Sequence, residues 1–283
     1  MLLRRLARRK TSLIAFLFLI LVVLIAIGAP LIVRGNLDDQ NLGQRLKPPG
    51  FHDDSGKVYT LGTDQLGRDL VPRLIYGARV SLLVGLSSVT LGGGIGLVLG
   101  LISGFYGGKV DAFIMRIADI QLAFPFLLLA LALVSILGPS LLNVILVLSL
   151  TSWISYAKVI RGAVLSVRNR EFVEAARALG ATGGRIIRQH VLPNVFSSFL
   201  VIASCEAAAL IIAESSLSYL GLGVPTSVPT WGGMLADGRE YITDAWWIAL
   251  VPGLTLMATA LSFNILGDGA RDALDPTQRN NRK

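Results

Sequence analysis

Residues 13–33 contain no ionisable side chain over 21 consecutive positions. An apolar stretch of about 20 residues makes a helix about 30 Å long, which matches the hydrocarbon thickness of a bilayer. Five further stretches reach or approach that length, at about 79–104, 112–137, 141–165, 196–220 and 245–266. Composition agrees: 53% of residues are hydrophobic, 16% are charged and mean hydropathy is +0.65, whereas soluble domains carry about 25% charge. Such a chain cannot cover a soluble surface, and intrinsic disorder is excluded on the same grounds. The expectation is an all-α membrane protein with six transmembrane helices.

Lysine and arginine in the connections set the orientation. With the N-terminus cytoplasmic, segments 1–12, 105–111, 166–195 and 267–283 lie inside and hold 15 basic residues; the outside segments 34–78, 138–140 and 221–244 hold 7. The 34–78 loop also carries six aspartates and is neutral. Both termini are therefore expected in the cytoplasm, with Trp246 and Trp247 as an interfacial anchor at the outer end of the last span. This makes the chain a multi-pass membrane protein. The net charge of +8 is explained by this topology and not by nucleic acid, since no aromatic-studded basic face accompanies it. The basic start and the possible cleavage site at Ala26-Ile27-Gly28 could mark a secretory signal, but the apolar run is long for one.

Chemistry is sparse. Cys205 is the single cysteine, so no intramolecular disulfide can form. His52 and His190 fall on opposite sides of the expected membrane, which excludes a two-histidine metal site. No Gly-x-Ser-x-Gly elbow occurs. Gly107-Gly108-Lys109-Val110 resembles the end of a phosphate-binding loop but has Ser at position 103 and Val110 where a magnesium-ligating hydroxyl belongs. No catalytic residue, metal or cofactor is expected in this chain.

Two features point inward. Gly92, Gly96, Gly100 and Gly104 recur every fourth residue and form one stripe on a helix, where a second backbone can approach closely. Packing within the chain is the favoured reading, over a subunit interface. Asp119, Glu206 and Glu214 lie at membrane depth, where an ionised group costs about 2.5–3.5 kcal/mol, so each should face protein or water. Each either lines a polar route or is a structural partner of Arg116, Asn143 or backbone. Pro125 is expected to kink the third span. Gly267-Asp268-Gly269 reads as a helix end followed by a tail.

The 166–195 connection is unusually long. Its 171–179 stretch is rich in helix formers, with Phe172, Ala175, Ala176 and Leu179 on one face and Gly180 placed to end the helix in a left-handed turn. A second short helix is expected at about 184–190, stopped by Pro193. A short amphipathic helix tied at both ends to spans suits a lever between a soluble partner and the membrane helices; a helix lying on lipid is the alternative.

Glu174-Ala175-Ala176, Gly180 and His190-x-Leu192-Pro193, at their spacing, resemble the EAA loop of ABC importer permeases, E-A-A-x3-G-x9-I-x-L-P, with His190 replacing the Ile. The variant, together with Leu61-Gly62-Thr63-Asp64-x-x-Gly67-Arg68-Asp69, Tyr76-Gly77-Ala78-Arg79-Val80-Ser81-Leu82 and Glu214-x-x-Leu217-Ser218-Tyr219-Leu220-Gly221-Leu222-Gly223 before Trp231-Gly232, is similar to the peptide/nickel branch of that family. The resemblance implies a type I ABC importer permease fold. Segment 1–78 would be an N-terminal tail, first span and extracytoplasmic loop, 79–266 a five-helix core, and 267–283 a cytoplasmic tail. It further implies a homologous second permease subunit, two cytoplasmic ATPase subunits that bind ATP and magnesium, and an extracytoplasmic solute-binding protein. The loop helix would be the coupling helix, with Glu171, Glu174, Ala175, Ala176, Gly180, His190, Leu192 and Pro193 at the ATPase contact. Di- or oligopeptides are the leading cargo; a nickel chelate or a glutathione-like compound lies in the same branch. A polytopic enzyme using Asp119, Glu206 or Glu214, or a self-sufficient channel, is the distant alternative. Copurification of ATPase subunits separates these readings.

Overall fold

The computed structural model describes residues 10–33, 37 and 39–274, with the side chains of the last two left aside. Helix α1, Lys10–Ile32, is apolar on every side and carries Pro30 in its last turn. A small polar lobe follows, built on a 3-10 turn at Leu42–Gln44 and a two-stranded antiparallel hairpin. In the hairpin, β1 (Phe51–His52) pairs with β2 (Val58–Tyr59), Phe51 opposite Tyr59. The carboxylate of Asp53 accepts from the Ser55 hydroxyl and from the Ser55 and Lys57 backbone N–H groups across the hairpin turn. Led by the Ser55 bond, these donors lower its pKa from 3.8 to about 2. A carboxylate lowered in this way supports its turn at neutral pH and loses that contribution only as pH falls through about 4 towards 2.

The lobe joins the helices through a buried ionic network. Asp64 Oδ1 accepts from the backbone N–H of Leu66 and Arg68, and its Oδ2 receives Arg68 Nε at 2.6 Å. Arg73 reaches the same carboxylate at 3.6 Å, and both arginines extend to Asp237, at 3.3 and 3.7 Å. The local pairing expected of Asp64 and Arg68 is therefore one part of a larger cluster. Gly62, at φ +80°, brings its backbone against Trp247, whose indole N–H donates to the Thr63 carbonyl at 3.1 Å.

Asp69 caps the next helix, α2 (Leu70–Tyr106), by accepting from the Val71 N–H. Its 37 residues make about 55 Å of helix at 1.5 Å per residue, more than a bilayer needs. The helix thus starts nine residues before the expected span at 79, and position 78/79 lies inside it. Hydropathy marks where a helix enters lipid, but the cap marks where it begins.

The third apolar stretch is two helices. α3 (Gly108–Leu122) and α4 (Phe126–Leu137) meet at 85° across residues 123–125. Pro125 has no N–H to continue the ladder, so the expected kink is a full break. Neither helix alone is long enough to cross. α5 (Leu141–Val167) starts at the Ser140 cap. After it come α6 (Glu171–Ala178), α7 (Gly183–Ile186), a π turn at Ile187–Val191 and α8 (Leu192–Tyr219). Pro193 does not stop a helix there. It sits in the first turn of α8 and the chain stays helical through the π turn, because a missing N–H is tolerated at a helix start. α9 (Trp231–Gly238) and α10 (Trp247–Leu274) complete the bundle. α10 passes straight through Gly267 and Gly269, so the expected helix end there is wrong. The Gly267 backbone is seated closely against Ser204 and Cys205 of α8, and that packing sustains the helix.

Among the described residues five helices are long and apolar enough to cross a membrane, and α3–α4 makes six as one broken span. The most extensive pairing is α2 against α5, and the glycine stripe lies in it. Gly92 faces Ser149 and Ser152, Gly96 faces Trp153 and Tyr156, Gly100 faces Ala157 and Ile160, and Gly104 faces Val164. A Cβ on Gly100 would come within 2.8 Å of the Ala157 carbonyl oxygen and 2.9 Å of Ile160 Cβ. The stripe thus packs within the chain, the favoured of its two readings. Gly94, off the stripe, has nothing within 4 Å of such a Cβ. Gly100→Ala is therefore expected to cost about 1–3 kcal/mol through overpacking, while Gly94→Ala costs nothing; thermal unfolding of the two variants in detergent checks this.

Candidate functional site

The loop helix α6 is short, with Glu171 and Glu174 at its first turn and Arg177 at its last, the charge arrangement that a helix dipole favours. It ends in a left-handed turn. Gly180 has φ +81°, its N–H donates to the Arg177 carbonyl, and the Ala181 N–H donates to the Ala176 carbonyl at 3.1 Å. These two bonds form a Schellman closure, which satisfies the last carbonyls of the helix. Gly180 therefore acts as expected from its position.

The face that α6 buries differs from the one expected. Val173 is wholly buried in a cluster with Leu101 of α2, Ile160, Val164 and Val167 at the end of α5, Ile186 of α7, Val191 of the π turn and Val195 at the start of α8, with Ala176 and Ala181 packed beside it. Of Phe172, Ala175, Ala176 and Leu179, Ala176 packs on the cluster, Phe172 is partly covered beside His190, and Ala175 and Leu179 are exposed. Leu179 is 88% exposed and Phe172 38% exposed. The helix has two apolar sides, and at this length the 3.6-residue period does not say which one the bundle takes. Val173 and Ala176, spaced i and i+3, carry the signal for the buried side.

The foot under α6 is clamped. Asp111 of α3 receives Arg161 Nε and Nη2 of α5 at 2.5 and 2.6 Å, and the Ser103 hydroxyl of α2 at 2.5 Å. Arg168, just past α5, donates to the Gly104 carbonyl at 2.9 Å. His190 lies half-buried with its ring 6.2 Å from that of Phe172, and the Asn194 amide donates to the His190 carbonyl at 2.6 Å. Leu192 packs against the cluster and Pro193 is exposed. Thus Glu171, Glu174, Ala175, Ala176, Gly180, His190, Leu192 and Pro193 gather at one end of the bundle.

The three acids at membrane depth part company. Asp119 is 62% exposed and pairs with Lys158 at 3.1 Å, a partner outside those considered from the sequence. Asn143 instead donates to the carbonyls of Leu137 and Gly138. Glu214 is fully buried and accepts from the hydroxyls of Ser81 at 3.0 Å, Ser218 at 2.8 Å and Ser215 at 3.4 Å. Its carboxylate is satisfied inside the fold and has no open face, which corrects its candidacy for a polar route; its partners are serines and not Arg116, Asn143 or backbone. Glu206 borders a cavity of about 270 Å³, with Gln121, Phe124, Phe126, Thr151, Ser152 and Ser155 among its lining. Gln121 and Ser155 were absent from the sequence-derived set, since neither belongs to a recurring pattern.

Residues 96–280 match the family described as the binding-protein-dependent transport system inner membrane component. Residues 1–49 match the N-terminal TM domain of oligopeptide transport permease C. The di/tripeptide transport system permease protein DppC of Pseudomonas aeruginosa is 43% identical over 97% of this chain and 90% of its own length. The oligopeptide transport system permease protein OppC of Bacillus subtilis is 39% identical over 97% and 88%. Among solved structures, an inward-facing MetNI methionine ABC transporter chain aligns with a TM-score of 0.60 at 21% identity, covering 73% of this chain and 98% of that one. A chain of an amino acid ABC transporter aligns at 0.57 and 17% identity, covering 72% and 95%.

The two sides of α6 should respond differently to polar substitution. Leu179→Ser is expected to leave thermal stability within about 0.5 kcal/mol, as for surface changes, while Val173→Ser lowers it by about 1–3 kcal/mol through an unpaired buried hydroxyl. Detergent-phase unfolding of the two variants reads the difference.

Proposed function

The chain belongs to the family of binding-protein-dependent transport system inner membrane components, and from that premise we propose that it translocates di- or oligopeptides as one permease subunit of an ATP-driven importer. The peptide cargo is supported by the names of relatives that align over nearly the whole chain. In this reading both termini face the cytoplasm, supported by the bias of lysine and arginine among the connections. A homologous second permease completes the pathway, a solute-binding protein delivers cargo to the outside loop, 34–78, and the segment after Gly223, and two ATPase subunits bind ATP and magnesium. In this reading hydrolysis belongs to those ATPase subunits and transport to this chain.

The observation that carries the coupling role is the exposed apolar side of α6. Leu179 and Phe172 project from a helix whose other side is anchored by Val173. A helix gripped on one side and open on the other transmits force to the bundle when a partner binds the open side. Force on α6 passes through the Val173 cluster to the ends of α2, α5 and α8 together, and the Asp111–Arg161 pair ties α3 to the same block. Glu171 and Glu174, both exposed at the N-terminal turn, offer carboxylates to basic groups on an ATPase subunit. Small Ala175 lets that partner approach the helix closely. Asp119 and Glu206 are the acids assigned to the translocation path, since both keep an open face.

Gly180→Asp strains the left-handed closure, and Glu174→Lys inverts the charge at the contact. Each is expected to cut peptide uptake by the reconstituted complex by about tenfold or more, the loss of one interface hot spot, while ATP hydrolysis persists and the subunits still copurify. Uptake and hydrolysis measured side by side in proteoliposomes check this; normal uptake from both variants would refute the assignment.

A further inference from the structure

The cavity beside Glu206 lies where the third span breaks. Its lining comes from both sides of the 123–125 break, with Gln121, Leu122 and Phe124 before Pro125 and Phe126 and Leu129 after it, and from α5 and α8. Glu206 is at the middle of α8 (Leu192–Tyr219) and Ser155 at the middle of α5 (Leu141–Val167), which puts the cavity near the centre of the bilayer. Non-helical backbone at that depth is tolerated only where it is buried in protein or lines a watery cavity, and transporter sites recur beside such broken helices.

The other acids on the helices that line the cavity each have a protein partner. Asp119 has Lys158, Asp111 has Arg161 and Glu214 has three serine hydroxyls. Glu206 and Ser155 line the same cavity, and among the described residues Glu206 pairs with no cation. The Gln121 amide is already spent, donating to the Leu150 and Thr151 carbonyls and accepting from the Trp153 indole. A half-buried carboxylate without a counter-ion at the bilayer centre is costly, and a transient cation offsets that cost. About 270 Å³ is small for a whole ligand site and holds one residue of a peptide rather than its full length. Phe124, Phe126, Leu129 and Leu210 supply an apolar wall around the single acid.

We propose that the Glu206 cavity is a binding site for the primary ammonium group of the passing solute, which for a peptide is its α-amino terminus. This rests on the reading of the chain as a peptide permease. The carboxylate takes the ammonium, Ser155 lines the same cavity, and the aromatic and leucine wall receives the first side chain.

The test is uptake by the full importer in proteoliposomes, with wild type, Glu206→Gln and Glu206→Asp. Three cargoes are compared at saturating concentration: leucyl-alanine, N-acetyl-leucyl-alanine, and N-acetyl-lysyl-alanine, whose only ammonium is on the side chain. The ratio of leucyl-alanine to N-acetyl-leucyl-alanine uptake is expected to fall about tenfold in Glu206→Gln, the value of one charge-assisted hydrogen bond, and to be retained in Glu206→Asp. A parallel fall for N-acetyl-lysyl-alanine extends the site to side-chain ammonium groups; its absence restricts the site to the chain terminus. An unchanged ratio in Glu206→Gln, or a loss of the ratio in Glu206→Asp equal to that in Gln, overturns the inference and leaves the peptide reading intact. A wild-type complex that takes up none of the three overturns both.

Discussion

Close backbone contact between α2 and α5 is what the rest of the bundle is built around. In lipid, apolar surfaces gain little by meeting each other, so van der Waals contact and hydrogen bonds must hold helices together. Four glycines at one spacing let α2 lie against α5 along its length, where Trp153, Tyr156, Ala157 and Ile160 meet bare backbone. With that pair fixed, α8 packs against both, and α1 and α10 close the outside. Larger side chains on the stripe would separate the helices and loosen every contact that depends on them.

Polar groups then lock the two ends. At one end the Asp64, Arg68, Arg73 and Asp237 network ties the small lobe, the start of α2 and α9 into one piece. Breaking such a pair by removing one partner is far more costly than the pair is stabilising, so the network fixes position more than it adds strength. Glu214 does similar work deeper in the bundle, where it joins α8 to α2 through Ser81, and the Ser81 hydroxyl in turn accepts from the Trp231 N–H of α9. At the other end Asp111, Arg161 and Arg168 hold α2, α3 and α5 in register beneath α6. The ion pairs at the two ends and the glycine packing between them thus hold α2 and its neighbours at three levels along the bundle.

Much of this architecture was legible in the residues. The spans, the turn at Gly180 and the break near Pro125 follow from run length, from the lack of a Cβ and from a missing N–H, all of which are local. Helix ends were read less well. α2 begins at the Asp69 cap and α10 continues past Gly267, because caps and packing set helix ends while hydropathy sets only the buried part. In the candidate site the residues of the loop were found but their orientation was not. Phe172 and Leu179 look like core residues by type, yet Val173 takes the buried place.

The amino-acid sequence by itself determined that this chain crosses a membrane several times, that α2 must be approached closely along one face, and that a short helix with an αL end lies between the fourth and fifth spans. Those properties arise from composition and spacing within about 30 residues, so no distant contact is needed to specify them. Only the tertiary structure decided which side of α6 stays open, that Glu214 is enclosed by serines while Glu206 borders a cavity, and that Asp237 completes a cluster begun at Asp64. Burial and charge pairing are relations between segments far apart in the chain, and no local pattern carries them: eight residues along α8 separate an acid wrapped in hydroxyl groups from one facing open space.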